Sequence, residues 1–135
     1  MFLLDTMVLS ELRKRNRDPA LVRWIEGQRA SDLFLSVVSI GEIERGIARQ
    51  RVDDAEFAER LALWLDRLLH LYSDRLLPID LNVSRRWGRL SARIGHDGAD
   101  LLIAATALEH GLSVATRNVR HFAPTGVGTI NPFAN

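Results

Sequence analysis

At 135 residues, 47% of them hydrophobic, the chain has the length and apolar content of one ordinary globular domain. Its 18 basic and 17 acidic residues give a net charge of +1, which excludes a global electrostatic pull toward nucleic acid or membrane. Cysteine is absent, which excludes disulfide and thiolate chemistry and suits a reducing cytoplasm. No segment approaches the roughly 18 uninterrupted apolar residues of a membrane span. We therefore expect a single cytoplasmic domain spanning residues 1–135.

Short apolar segments alternate with amphipathic ones along the chain. In chain order they predict strand 2–4, helix 6–15, helix 21–27, strand 33–38, helix 39–51, helix 54–72, strand 75–80, helix 82–95, helix 100–111, strand 112–116 and strand 127–132. Strands that alternate with helices, each apolar without a period of two, indicate a parallel sheet covered by helices on both faces. The predicted class is α/β.

The apolar stripe of helix 54–72 is wider than one core contact needs. Residues three or four apart, such as Leu61, Trp64 and Leu68, are enough to face a core. Leu63 and Leu65 extend the stripe sideways. Surplus apolar surface of this kind indicates a contact with another protein chain.

Acidic and amide side chains fall where predicted strands give way to helices. Asp5 follows the first strand, and Glu42 lies in the first turn of the helix after the second. Asp100 lies in the first turn of a later helix, and Asn118 follows the fourth strand. Because ligands bind beyond the carboxyl ends of parallel strands, three carboxylates and one amide are expected at one edge of the sheet.

Each of these side chains also has a purely structural interpretation. Ser39 and Glu42 fit a capping box, and Asp5 and Asp100 can stabilise the helices that they precede or begin. Asn118 can hold a turn. The single residues do not decide between capping and catalysis.

Taken together, the acids favour a metal site. Two carboxylates about 4 Å apart repel by roughly 4 kcal/mol at an effective dielectric of 20, so a fold that gathers three must protonate or neutralise them. A divalent cation does this, and oxygen ligands without cysteine or paired histidines suit Mg²⁺ or Mn²⁺ rather than zinc. Such an ion lowers the pKa of a bound water and stabilises charge on a phosphoryl oxygen, which is the chemistry of phosphodiester hydrolysis.

Four segments carry a family resemblance: DTMVLSEL, LFLSVVSIGEIERGI, ADLLIAATALEHGLSVATRNVRHF and GVGTINPF. In order and over nearly the whole chain they resemble PIN-domain ribonucleases, specifically the VapC and FitB-like toxins of bacterial toxin-antitoxin modules. The resemblance implies a three-layer α/β/α sandwich with a central parallel five-stranded sheet. It also implies a Mg²⁺-dependent endoribonuclease that acts on RNA as the toxin of a type II module. The implied partners are a second copy of the chain and a VapB-like antitoxin, a small DNA-binding protein that fills the active-site groove with an arginine.

The resemblance assigns the catalytic site to four positions, which are Asp5, Glu42, Asp100 and Asn118. Asp5 and Asp100 match the principal metal ligands, for Mg²⁺ or for Mn²⁺ in its place. Glu42 then assists, either as a ligand through water or by positioning the attacking water. Thr6 and Thr116 resemble the hydroxyl residues that orient the acidic cluster.

Three positions depart from the family pattern. Met7 stands where asparagine is common, Asn118 where aspartate is frequent, and His121 where another aspartate is frequent. They motivate an alternative, a catalytically weakened PIN-fold module that binds RNA or antitoxin without efficient turnover. The three retained carboxylates favour catalysis. Asp97 can compensate for the missing acids or cap the next helix, and capping is the expected role.

Arginine provides all but one of the basic residues, the exception being Lys14. Three basic groups offer contacts to an RNA backbone: Arg85, Arg86, Arg89 and Arg93 on the polar side of one helix, the run Arg13, Lys14, Arg15 and Arg17, and Arg117 and Arg120 beside Asn118. An ordinary solvated face explains the first two groups equally well.

Overall fold

The computed structural model describes residues 1–134. Within that range five parallel strands form a sheet of order β3-β2-β1-β4-β5. The strands are β1 (Phe2–Leu4), β2 (Leu33–Ser36), β3 (Leu76–Leu77), β4 (Ser113–Ala115) and β5 (Thr129–Ile130). The α-helices are α1 (Thr6–Arg13), α2 (Pro19–Glu26), α3 (Val37–Asp53), α4 (Ala55–Leu71), α5 (Leu81–Ile94), α6 (Ala99–His110) and α7 (Val119–Phe122).

Two hydrophobic cores lie on opposite faces of the sheet. Successive residues of a strand point to opposite faces, so Leu4 packs with Val8 and other apolar residues of α1 to α4. Leu3 packs instead with Leu101 and Ile103 of α6, together with residues of α5 and α7. Both faces of the sheet are thus covered, which confirms the predicted three-layer α/β/α sandwich and explains why the strands lack a period of two.

The second predicted strand is two residues too long. The Ser36 hydroxyl accepts a hydrogen bond from the Val38 backbone amide at 3.0 Å and caps α3, which therefore begins at Val37. Glu42 consequently lies in the second turn of α3, and its predicted place in the first turn was wrong. The β-branched pair Val37 and Val38 had favoured a strand that the serine cap cuts short.

The third predicted strand shrinks to the two residues of β3. Pro78 has no amide hydrogen to add to the ladder, and the Asp80 carboxylate caps α5 by accepting from the Val83 amide at 2.9 Å. The ends of α5 and α6 agree with the sequence, since Gly95 and Gly111 take the left-handed conformation, with φ of 96° and 66°. None of the helices in residues 1–134 is long and apolar enough to cross a membrane.

Two expectations about single residues were wrong. Asp97 does not cap α6, because the capping position is Gly98 and no side chain bonds the first amides of that helix. Leu65 is only 1% exposed and belongs to the core, so it is not part of an outer stripe on α4. Leu63, at 49% exposure, is the residue of the pair that faces solvent.

Candidate active site

Asp5 follows β1, the strand from which the sheet is extended in both directions. β1 pairs with β2 on one side and with β4 on the other, which makes its carboxyl end the switch point where α/β proteins place ligands. The side chain is 4% exposed and caps α1, with Oδ1 accepting from the Thr6 amide at 2.8 Å. The capping interpretation of Asp5 therefore holds, and it leaves the second carboxylate oxygen for other partners.

Thr116 connects the ends of β1 and β4. Its hydroxyl donates to Asp5 Oδ2 at 2.8 Å and accepts from the Asn118 backbone amide at 2.9 Å. Thr116 is fully buried, so water does not compete for either bond. One hydroxyl thereby orients the Asp5 carboxylate and fixes the turn that carries Asn118.

Thr6 connects Asp5 to Glu42. Its hydroxyl lies 2.6 Å from Glu42 Oε1 and 2.7 Å from Ser39 Oγ. A hydroxyl has one hydrogen and a carboxylate can only accept, so Thr6 donates to Glu42 and accepts from Ser39. The predicted capping box was therefore wrong, because Ser39 lies inside α3 and its buried side chain supports Thr6. Ser39 is therefore a site residue that the sequence analysis interpreted wrongly. Its spacing of three residues from Glu42 had indicated a capping box.

Asp100 occupies the first turn of α6, as predicted, and its carboxylate remains partly open to solvent. The side chain is 39% exposed, and Oδ2 lies 3.3 Å from His121 Nδ1. His121 follows Asn118 in α7, so the departure from an aspartate at this position puts an imidazole next to the acid. The Asp100 carboxylate therefore makes the α6 side of the cluster accessible to solvent.

The three carboxylates influence one another electrostatically. Burial raises the pKa of the Asp5 carboxyl, hydrogen bonds from Thr116 and the Thr6 amide oppose the rise, and the negative charges of Asp100 and Glu42 add to it. The salt bridges within residues 1–134 leave Asp5 and Glu42 without a cationic partner. A buried acid destabilised by two neighbouring acids is a position that an added cation would stabilise.

The donor set fits a magnesium ion. Hard carboxylate oxygens from Asp5 and Asp100 suit Mg²⁺, which usually binds proteins through one or two carboxylates and retains several waters. No group of three or more histidine, aspartate or glutamate side chains in the described part of the chain is placed to hold a metal ion, so the fit rests on the two carboxylates of Asp5 and Asp100 together with waters.

Asn118 faces Met7 across the site. Its side-chain nitrogen donates a hydrogen bond to Met7 Sδ at 2.8 Å, so a thioether engages this amide. Of the two neighbouring arginines, Arg117 is held by Asp18 at 3.9 Å and stacks on Phe133. Arg120 is exposed and has no carboxylate partner in residues 1–134, so it is the better placed to meet a phosphate.

The fold and the site together define an α/β protein with a carboxylate cluster at the switch point of a parallel sheet. The family model described as PIN domain matches residues 2–126, so the chain belongs to the PIN-domain family. It is 37% identical to the VapC ribonuclease Y4jK of Sinorhizobium fredii over 98% of both chains. It is 31% identical to the toxin FitB of Neisseria gonorrhoeae, covering 98% of this chain and 99% of that one. The crystal structure of FitAcB from Neisseria gonorrhoeae superposes with a TM-score of 0.76 at 28% identity and covers 98% of each chain.

Proposed function

We propose that this chain is a single-domain cytoplasmic endoribonuclease that cuts RNA phosphodiester bonds with Mg²⁺, or Mn²⁺ in its place, as the toxin of a toxin-antitoxin pair. One observation carries the proposal: Asp5 is buried beside Asp100 and Glu42, and no cation pairs with it in residues 1–134. Two relatives are named VapC ribonucleases, which supports the same reaction.

The chain's own residues supply binding, orientation and proton transfer. Asp5 and Asp100 hold the ion, and a bound Mg²⁺ supplies acidity to water and stabilises negative charge on a phosphoryl oxygen. Thr116 keeps the Asp5 carboxylate oriented and favours its ionised form. Glu42, fixed at one oxygen by Thr6, offers its other oxygen to orient and deprotonate the attacking water.

The reaction is tested with Asp100→Asn. Purified protein free of antitoxin should cut RNA with Mg²⁺, stop in EDTA and recover when Mg²⁺ is restored. Removing a ligand charge takes away several kcal/mol of stabilisation, so the rate of cleavage by Asp100→Asn should fall by a factor of about 100 or more. The rate is measured by product formation on gels. The matched control is Asp66→Asn, which removes one charge from an exposed position on α4 and should retain activity. Equal loss in both variants, or cleavage that persists in EDTA, would contradict the assignment.

A second candidate function is supported by two contacts. The His121 imidazole contacts the Asp100 carboxylate, and the Asn118 side-chain amide donates to the Met7 sulfur. Two of the four site residues are thus in contact with neighbours that carry no carboxylate. A module of this kind would bind RNA or antitoxin without efficient turnover. The same assay separates the two candidates, because a binding module retains RNA in a mobility-shift experiment but yields no Mg²⁺-dependent product.

A VapB-like antitoxin is the proposed protein partner. A cleft of about 260 Å³ lies between α1, α3 and α4, with Phe57, Leu61 and Trp64 on its apolar wall. Thr6 and Glu42 line the same cleft, so a segment bound there reaches the acidic cluster. An apolar segment that ends in an arginine would complement both the apolar wall of the cleft and the acidic cluster. The similar structures include FitAcB and FitAB bound to a DNA fragment.

A homodimer is the proposed assembly, with Leu63 among the exposed apolar residues of α4. Leu63→Glu should lower the mass measured by light scattering toward that of one 15.2 kDa chain without loss of fold. The control is Leu81→Glu, which makes the same change at an exposed leucine of α5 and should leave the mass unchanged. An unchanged mass for Leu63→Glu would exclude this face from the dimer.

A further inference from the structure

α5 has the most one-sided charge of the longer helices. It carries four arginines and no acidic residue, whereas every other helix of eight or more residues contains at least one acid. Arg86 pairs with Glu109 of α6 at 2.7 Å. The three exposed arginines, which are Arg85, Arg89 and Arg93, have no carboxylate partner within residues 1–134. A local basic patch therefore exists on a chain whose net charge is only +1.

Part of this patch lines a cleft. A cavity of about 330 Å³ has Leu90, Leu108 and Thr125 on its walls together with Arg86, Arg89 and Arg93. Leu90 is 5% exposed, so the floor is apolar and fixed, and the arginines stand on the rim. Planar guanidinium groups on a rim can bind phosphate oxygens through two parallel hydrogen bonds.

A second cavity lies beside the first. It has a volume of about 450 Å³ and is lined by Asp100, Arg120 and His121 of the site, and by Ile94 at the end of α5 and Pro124. Ile94 follows Arg93 and Pro124 precedes Thr125, so the two cavities adjoin along the seam between α5 and the segment after α7. Arg93 and Arg89 therefore line the cavity next to the one that holds Asp100 and Arg120.

We propose that this seam, which we call the α5 groove, holds the RNA backbone on one side of the cleaved bond, with Arg89 and Arg93 contacting phosphates outside the reacting centre. The proposal rests on the ribonuclease function proposed above. Residues 86 to 94 of α5 extend about 12 Å at 1.5 Å per residue, which spans about three to four nucleotides at the 3.4 Å rise of a stacked strand. The groove therefore binds one flank of the substrate and leaves the chemistry to the carboxylates.

The test is Arg89→Gln with Arg93→Gln in one protein. Binding of a fluorescent single-stranded RNA is measured by anisotropy in EDTA, so that no cleavage occurs, over a series of salt concentrations. The slope of log affinity against log salt should become shallower by about 0.7 for each lost phosphate contact, or about 1.4 for the pair. With Mg²⁺, the benefit of lengthening the RNA on one flank should disappear in the variant.

The control variant removes the same charge elsewhere. Arg23→Gln with Arg67→Gln changes exposed arginines of α2 and α4, neither of which lines the groove, and should leave the salt slope and the flank effect intact. The circular dichroism spectra of both double variants should match that of the unmodified protein. Equal slopes in the two double variants would overturn the proposal. So would a variant that loses binding to duplex DNA but keeps binding to RNA, since the groove would then be a DNA surface.

The outcome is separable from the proposed function. If the unmodified protein binds RNA through Arg89 and Arg93 but never cuts it, the groove stands and the nuclease proposal fails. If it cuts RNA and the slope is insensitive to both arginines, the nuclease stands and the groove proposal fails.

Discussion

Asp5→Asn should abolish most RNA cleavage. The variant loses the negative charge of a metal ligand. The loss of several kcal/mol of charge stabilisation corresponds to a rate that is lower by a factor of about 100 or more. Asparagine is as good as aspartate at a helix N-cap, so the bond from the Thr6 amide survives. The loss should appear as a lower kcat/KM in a gel or fluorescence assay at saturating Mg²⁺.

The stability of the same variant follows from the pKa of Asp5. Burial, with Asp100 and Glu42 nearby, raises the pKa of this carboxyl above 3.8, so the folded metal-free protein disfavours its ionised form. The stability that protonated Asp5 contributes is fully present below pH 3.8. It is lost as the pH rises through the raised folded-state pKa, because Asp5 ionises more readily in the unfolded chain. Asparagine does not titrate, so the melting temperature of Asp5→Asn in EDTA should fall less between acidic and neutral pH than that of the unmodified protein.

The comparison with an exposed acid makes this result specific. Asp66→Asn on α4 removes one charge from a solvent-exposed position and should change neither cleavage nor the pH dependence of melting. A melting temperature of Asp5→Asn that falls with rising pH as steeply as that of the unmodified protein would mean that Asp5 is not the group responsible for this dependence. Retained cleavage would remove Asp5 from the metal site.

Much of the architecture followed from the alternation of apolar and amphipathic segments. The order of strands and helices and the coverage of both sheet faces need only the hydrophobic effect and the short connections of a parallel sheet. The positions of Asp5 and Asp100 followed from the same pattern, since each sits where an element begins or ends. Long-range geometry was therefore accessible wherever it depended on element order.

Finer features depended on competition between local interactions. The start of α3 was misjudged because the Ser36 cap outweighs the strand preference of Val37 and Val38. Ser39 was assigned to a cap, although its true partner Thr6 is 33 positions away in sequence. Contacts between distant side chains, such as that of His121 with Asp100, depend on packing that periodicity does not encode.

Thr116→Val should slow cleavage and move its acid limb to higher pH. The lost hydroxyl donates to Asp5 Oδ2, and this bond lowers the pKa of Asp5, so its removal raises that pKa further. Because the ionised carboxylate binds the metal, activity should require a higher pH, and kcat/KM at neutral pH should fall by about 10 to 100-fold, as is usual for groups that orient metal ligands.

The same substitution should lower the free energy of unfolding by about 1 to 3 kcal/mol, because the buried Asn118 amide and Asp5 oxygen lose their partner. Thr116→Ser retains the hydroxyl and should restore the pH profile. Thr106→Val is the matched control, since Thr106 is also fully buried but donates to the Leu102 carbonyl within α6. Denaturant unfolding and pH-rate profiles of the three variants separate the two roles. A shifted profile in Thr106→Val, or none in Thr116→Val, would show that the Thr116 hydroxyl does not act through Asp5.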